Sequence, residues 1–144
     1  MANRERAWID RQLARVIREQ ALPSQQVPAE LARDLRAQAR RDLPARLVEL
    51  AAQNGLTVSR VSIRNQRWRW GSCSPNGHIC LNWRLVQTPD WVRDYVLLHE
   101  LMHLKRMDHS PKFWKLVAEV CPEYQHARRY LREQLTVNYF AVKK

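Results

Sequence analysis

Cysteine is scarce in this 144-residue chain: Cys73, Cys80 and Cys121 are the only three, and no two of them form a C-x-x-C pair. The odd number argues against a closed disulfide framework. Long apolar runs are missing too. The opening MANRERAWIDRQLARVIREQ scatters Arg and Asp along its length, so neither a signal-peptide core nor a membrane span is readable there. Reduced thiols without an export signal predict a cytoplasmic protein with no membrane partner. There is also no internal repeat and no low-complexity segment. Lysine is confined to positions 105, 112, 115, 143 and 144, and arginine supplies the rest of the positive charge. The net charge is +11 and the sequence pI is about 10.4. Such an excess attracts polyanions through counterion release, which makes nucleic acid one candidate partner. Charge alone is permissive, because arginine richness also follows from coding composition.

What is present is ordinary globular material. Hydrophobic residues make up 45% and charged residues 27%, enough for one modest domain with one core. From Arg4 to Gln20, Trp8, Ile9, Leu13, Val16 and Ile17 recur at helical spacing, which predicts an amphipathic helix. ALPSQQVP interrupts it with Pro23 and Pro28. A second helical region is expected from Pro28, with Pro44 breaking or restarting it and Gly55 stopping it. The arginines of these helices read as a solvated face. The single domain 1–144 therefore divides into a helical support over 1–54, a core over 55–131 and a tail over 132–144.

After Gly55 the period changes. In LTVSRVSIRN, Val61 and Ile63 alternate with Ser62 and Arg64, as in a half-buried strand. RWRWGSCSPNGHICLNWRL then reads as a hairpin turning at Asn76-Gly77, which can take the positive φ of a two-residue turn. That turn sets Cys73 opposite Cys80 and Trp70 opposite Trp83, with the tryptophans forming an apolar face. A metal site at the two cysteines is one reading, and two small buried side chains is the plainer one. The RWRW run likewise suits packing before base stacking.

The stretch that asks for an explanation is YVLLHELMHLKRMDHSPKFW, residues 95–114. QTPDW offers Thr88 as N-cap, Pro89 at the first helical position and Asp90 in the first turn. Val92, Tyr95, Val96, Leu97, Leu98, Leu101, Met102 and Leu104 leave the following helix apolar on nearly every side. Burying imidazoles and a carboxylate there costs several kcal/mol unless they are paired or bind a metal. His99 and His103 are four positions apart and so point the same way, one turn apart. Glu100 projects beside them, within reach of a water on the ion. This is the content of H-E-x-x-H: two ligands and a general base on one rigid helix. A catalytic zinc needs a third protein ligand. His109 is the candidate, because Asp108-His109-Ser110-Pro111 reads as a helix break with Ser110 as cap; Glu119 and Glu123 are alternatives.

These residues resemble a known family. RWGSCSPNGHICLNWRL, VLLHELMHL and HSPKFW together look like the YgjP-like metallopeptidases, with SprT-like and WLM proteases as more distant relatives. The resemblance spans roughly Leu43 to Leu131. It implies an α+β, zincin-like fold, with helices packed on a small antiparallel sheet and the hairpin near the cleft of an HExxH helix. It further implies His99, Glu100, His103 and His109 as first ligand, general base, second ligand and third ligand. The expected protein is a zinc metalloendopeptidase with one zinc per chain and a peptide or protein substrate. The spacing of the three histidines also equals that of the metzincins. Arg106 stands where they have glycine, however, and no Met-turn is visible, so that membership is rejected. Compared with longer relatives the chain begins with helix in place of strands, as a shortened or rebuilt support.

In the expected mechanism zinc brings the pKa of its water toward about 7 and Glu100 takes that proton as a peptide carbonyl is attacked. Tyr124, His126 and Tyr130 are the candidates for a second oxyanion donor. An extended peptide is expected to add along the hairpin edge. Two other readings stand beside this one. The basic charge and the SprT-like relation suggest a protease acting on DNA-bound proteins. A non-catalytic module with structural zinc is the third, and it leaves Glu100 without evident purpose in an apolar helix. The tail LTVNYFAVKK reads as docked or frayed, with cleft filling as an alternative.

Overall fold

A computed structural model describes residues 28–66 and 69–134. The helix expected at 4–20 and the segment LTVNYFAVKK lie outside these residues. The order is helix α1 (Ala29–Gln53), strands β1 (Arg60–Arg64), β2 (Gly71–Cys73) and β3 (His78–Asn82), and a 3-10 turn (Trp83–Gln87). Helices α2 (Asp90–Met102), α3 (Pro111–Val120) and α4 (Tyr124–Gln134) follow. Helix α4 therefore runs into the first residues of the span assigned to the tail.

Helix α1 is one continuous helix with Pro44 inside it, not the two segments expected. A proline in a helix interior costs about 3 kcal/mol. Here Ala39, Leu43, Leu47, Leu50 and Ala51 form one buried stripe running straight past it. Burying a leucine is worth roughly 1.5–3 kcal/mol, so Leu43 and Leu47 on either side offset the break. The helix ends as expected at Gly55, whose φ of +66° closes a Schellman motif. Leu56 N donates to Ala51 O at 2.9 Å and Gly55 N to Ala52 O at 3.2 Å.

The sheet has order β1-β3-β2 and is mixed, a correction to the antiparallel sheet expected. β2 and β3 are antiparallel, while β1 pairs with β3 in parallel. The physical reason is that β3 lies between the other two strands, so β1 pairs with the edge of β3 that the hairpin leaves open. Buried Asn82 ties Gln66 and Arg69 to the end of β3. Its Nδ2 donates to Gln66 O at 2.7 Å and Arg69 O at 3.0 Å, and its Oδ1 accepts from Arg84 N.

The hairpin register is also one residue away from that expected. Gly77 N donates to Ser74 O at 3.0 Å, and Ser74 N to His78 O at 2.9 Å. The loop is thus Pro75-Asn76-Gly77, with Gly77 at φ +89°. Proline presets the first turn position, and the three-residue loop places the left-handed residue last. Cys73 faces Ile79 and Ser72 faces Cys80. A one-residue slip exchanges faces, so Cys73 and Cys80 point to opposite sides of the sheet and share no site. Trp70 O accepts from Asn82 N, not from the residue expected opposite it. Trp83 is buried in the 3-10 turn, with the Arg84 guanidinium 4.5 Å over its ring.

Gly71, Cys73, Ile79 and Leu81 share the sheet face that meets α2. Helix α2 thus lies between the sheet, α1, α3 and α4. Arg46 ties α1 to it through a two-pronged pair with Asp94, Nε–Oδ1 3.1 Å and Nη2–Oδ2 2.8 Å. Among the described residues no helix is long and apolar enough to cross a membrane.

Candidate active site

Helix α2 begins one residue later than its cap signals suggested. Pro89 is the N-cap, and the Thr88 hydroxyl instead donates to Leu85 O at 2.7 Å, closing the 3-10 turn. The helix ends at Met102, but His103 keeps right-handed helical backbone, φ −65° and ψ −18°. His99 and His103 therefore remain stacked one turn apart, with ring centroids separated by 4.9 Å.

The chain then reverses. Arg106 Nε donates to Asp108 Oδ1 at 2.8 Å and to Ser110 Oγ at 2.9 Å, while the Ser110 hydroxyl donates to the same Asp108 oxygen. Ser110 is the N-cap of α3, as its position predicted, and Pro111 opens the helix. This small network pins the turn and returns His109, whose ring lies 5.4 Å from that of His99 and 4.8 Å from that of His103.

One nitrogen from each of His99, His103 and His109 falls within 4.8 Å of the other two. The Nε2 atoms of His103 and His109 are 3.1 Å apart. Nitrogens bound to a tetrahedral ion at ~2.0–2.1 Å stand roughly 3.3 Å apart, so this spacing suits a metal. The tautomer agrees. His103 Nδ1 donates to Arg106 O at 3.0 Å, and a carbonyl only accepts, so in the neutral ring the lone pair is on Nε2. His99 Nδ1 shares a 3.2 Å hydrogen bond with the Tyr95 hydroxyl. Imidazole donors suit zinc, copper, iron and nickel. Glu119 and Glu123, weighed as third ligands, do not join the three histidines.

Glu100 is 1% exposed and also stands outside the ligand group. It lies instead against β2. A Cβ built on Gly71 falls 3.2 Å from both Glu100 Cγ and Oε2. Cys73, on the same face of β2, is pushed up to about 11 by burial and by the Glu100 charge, so it is a neutral thiol near neutral pH. Burial raises the Tyr95 hydroxyl as well, well beyond the ordinary tyrosine range.

Phe113 and Trp114 complete the site. Phe113, wholly buried, stacks on His103 at 4.3 Å and meets His99 and His109 edge-on at 5.0 and 5.2 Å. Trp114 stands 5.5 Å from His99 and 6.0 Å from His109. Sequence reasoning assigned Gly71, Tyr95, Phe113 and Trp114 no part in the site. A signal existed for Tyr95, four residues before His99 and therefore on its face. Of the oxyanion candidates, Tyr124 stacks on Trp114 at 5.4 Å, His126 is exposed, and Tyr130 is buried edge-on to Trp91.

The YgjP-like, metallopeptidase domain matches residues 2–134. The chain belongs to the YgjP-like metallopeptidase family. The match reaches beyond Leu43–Leu131, chiefly on the N-terminal side. No curated protein matches the sequence. Among solved structures the chain is similar to the metallopeptidase zymogen of Pyrococcus abyssi abylysin. The two share 27% identity with a TM-score of 0.54, over 66% of this chain and 93% of that one. Family and fold together make this YgjP-like protein a metal-dependent protease of α+β, zincin-like architecture, acting on peptide or protein.

Proposed function

We propose that the protein is a cytoplasmic zinc endopeptidase in which His99, His103 and His109 hold one zinc ion per chain and Glu100 is the general base. The convergence of three imidazole nitrogens, with the buried carboxylate of Glu100 on the same helix and outside their group, carries this reading. When bound, zinc supplies Lewis-acid polarisation of a carbonyl and brings the pKa of a water toward about 7.

The chain's own residues do the rest. Glu100 accepts a proton from the attacking water and returns it to the departing amine. Tyr95 and the Arg106 carbonyl orient the His99 and His103 rings through their Nδ1 atoms, while Phe113 excludes water beneath them. The edge of β2 offers backbone groups to an extended peptide, which supports cleavage within a chain over trimming of its ends.

The test is metal analysis of wild type and His109→Ala, with cleavage of an unstructured protein by wild type and Glu100→Gln. One zinc per chain, weakened by His109→Ala, with Glu100→Gln keeping the metal but losing turnover, is the expected result. A closed coordination sphere without exchangeable water would instead make the zinc structural. The net charge of +11 favours one second reading, a protease acting on DNA-bound proteins. It requires salt-sensitive DNA binding and DNA-stimulated cleavage, and fails if DNA at low salt does neither.

A further inference from the structure

The space beside Glu100 is set by a residue with no side chain. Gly71 is buried at the start of β2, opposite Leu81. Its backbone does not demand glycine: positive φ is confined to Gly55 and Gly77 among the described glycines. The requirement comes from space. A Cβ there meets Glu100 Cγ and Oε2 at 3.2 Å and the Cys80 carbonyl oxygen also at 3.2 Å. The carbonyl belongs to the central strand, paired with both β1 and β2, and cannot yield. Glu100 is the partner that can, because its carboxylate ends a flexible side chain.

We infer that Gly71 is a positioning residue for the general base: its missing side chain lets β2 close against Glu100 and sets where the carboxylate stands. This rests on the role proposed for Glu100. It also gives a reason for a glycine inside a strand, where glycine otherwise weakens pairing and leaves a face unpacked. A displaced base loses rate steeply, since a misplacement of about 1 Å costs on the order of 100-fold.

The experiment is the crystal structure and kinetics of full-length Gly71→Ala beside wild type. The expected structure has the Glu100 carboxylate shifted by several tenths of an ångström, with His99, His103 and His109 unmoved and zinc content unchanged. The expected kinetics are a kcat at least about tenfold lower with KM nearly constant. In the Glu100→Gln background, Gly71→Ala should lower the residual rate no further, because the two changes act on one group. A carboxylate that superposes on wild type, or full activity in Gly71→Ala, overturns the inference. If Gly71→Ala does not fold, recovery of folding in Gly71→Ala/Glu100→Asp, whose shorter side chain withdraws from the added methyl, supports it. Failure of that pair places the conflict at Cys80 and overturns it. A wild-type protein that cleaves nothing counts against the peptidase reading, and the carboxylate position still decides the role of Gly71.

Discussion

Replacing Tyr95, a buried residue, by phenylalanine removes one oxygen and leaves the ring in its edge-on contact with His99. That oxygen is 3.2 Å from His99 Nδ1. Two consequences separate cleanly. Losing one buried neutral hydrogen bond should cost the metal-free protein about 1 kcal/mol. Losing the group that fixes a ligand's tautomer and orientation should weaken metal binding by about 10–100-fold, or roughly 1.4–2.8 kcal/mol. Zinc affinity is measured by competition with a chelator of known strength, and the melting temperature of metal-free protein controls for stability. Burial keeps the hydroxyl neutral well above its ordinary range, so the ratio of affinities should stay flat up to about pH 10. An affinity within twofold of wild type would refute the reasoning, and His99 would then be oriented by Phe113 packing alone.

Two further predictions follow from the supports of α2. Phe113→Ala opens a cavity beneath three imidazoles and should destabilise the protein by about 3–5 kcal/mol, while lowering zinc affinity; chemical denaturation with and without zinc reads both. A stability loss with zinc affinity intact would limit Phe113 to core packing. Burial raises the Asp94 carboxyl, but hydrogen bonds from Arg46 and Arg93 more than offset this and hold it below the ordinary carboxylate range. A depressed folded value stabilises above the unfolded value, near 3.9, and the contribution is lost as pH falls through the folded value. Acid unfolding should therefore begin at higher pH in Asp94→Asn, with a loss near neutrality of about 2 kcal/mol. Coincident acid transitions for the two proteins would show that the Arg46 pair contributes nothing measurable.

The helix that carries His99, Glu100 and His103 was legible because its information is local. H-E-x-x-H on an apolar stretch fixes two imidazoles one turn apart whatever surrounds them, and Ser110-Pro111 marks a helix start after a break. Gly55 was legible for the same reason, since a left-handed residue after a helix favours glycine. The expectations that failed all turned on competition between local signals and packing. Pro44 was read as a break, yet the buried stripe on both sides carries the helix through it. Asn76-Gly77 suggested a two-residue turn, but Pro75 lengthens the loop by one and exchanges the faces of the two cysteines. Nothing local sets β3 between β1 and β2, because strand order depends on which surfaces are buried together.

The sequence by itself determined which residues the proposed chemistry draws on: three imidazoles at spacings that a helix and a turn translate directly into convergence, and one carboxylate on the same helix. Only the tertiary structure decided how that chemistry is held. Gly71 and Glu100 are 29 residues apart, and Phe113 reaches the three rings from a separate helix. Contacts between elements arise from the register and packing of distant segments, for which no short pattern in the chain carries a code.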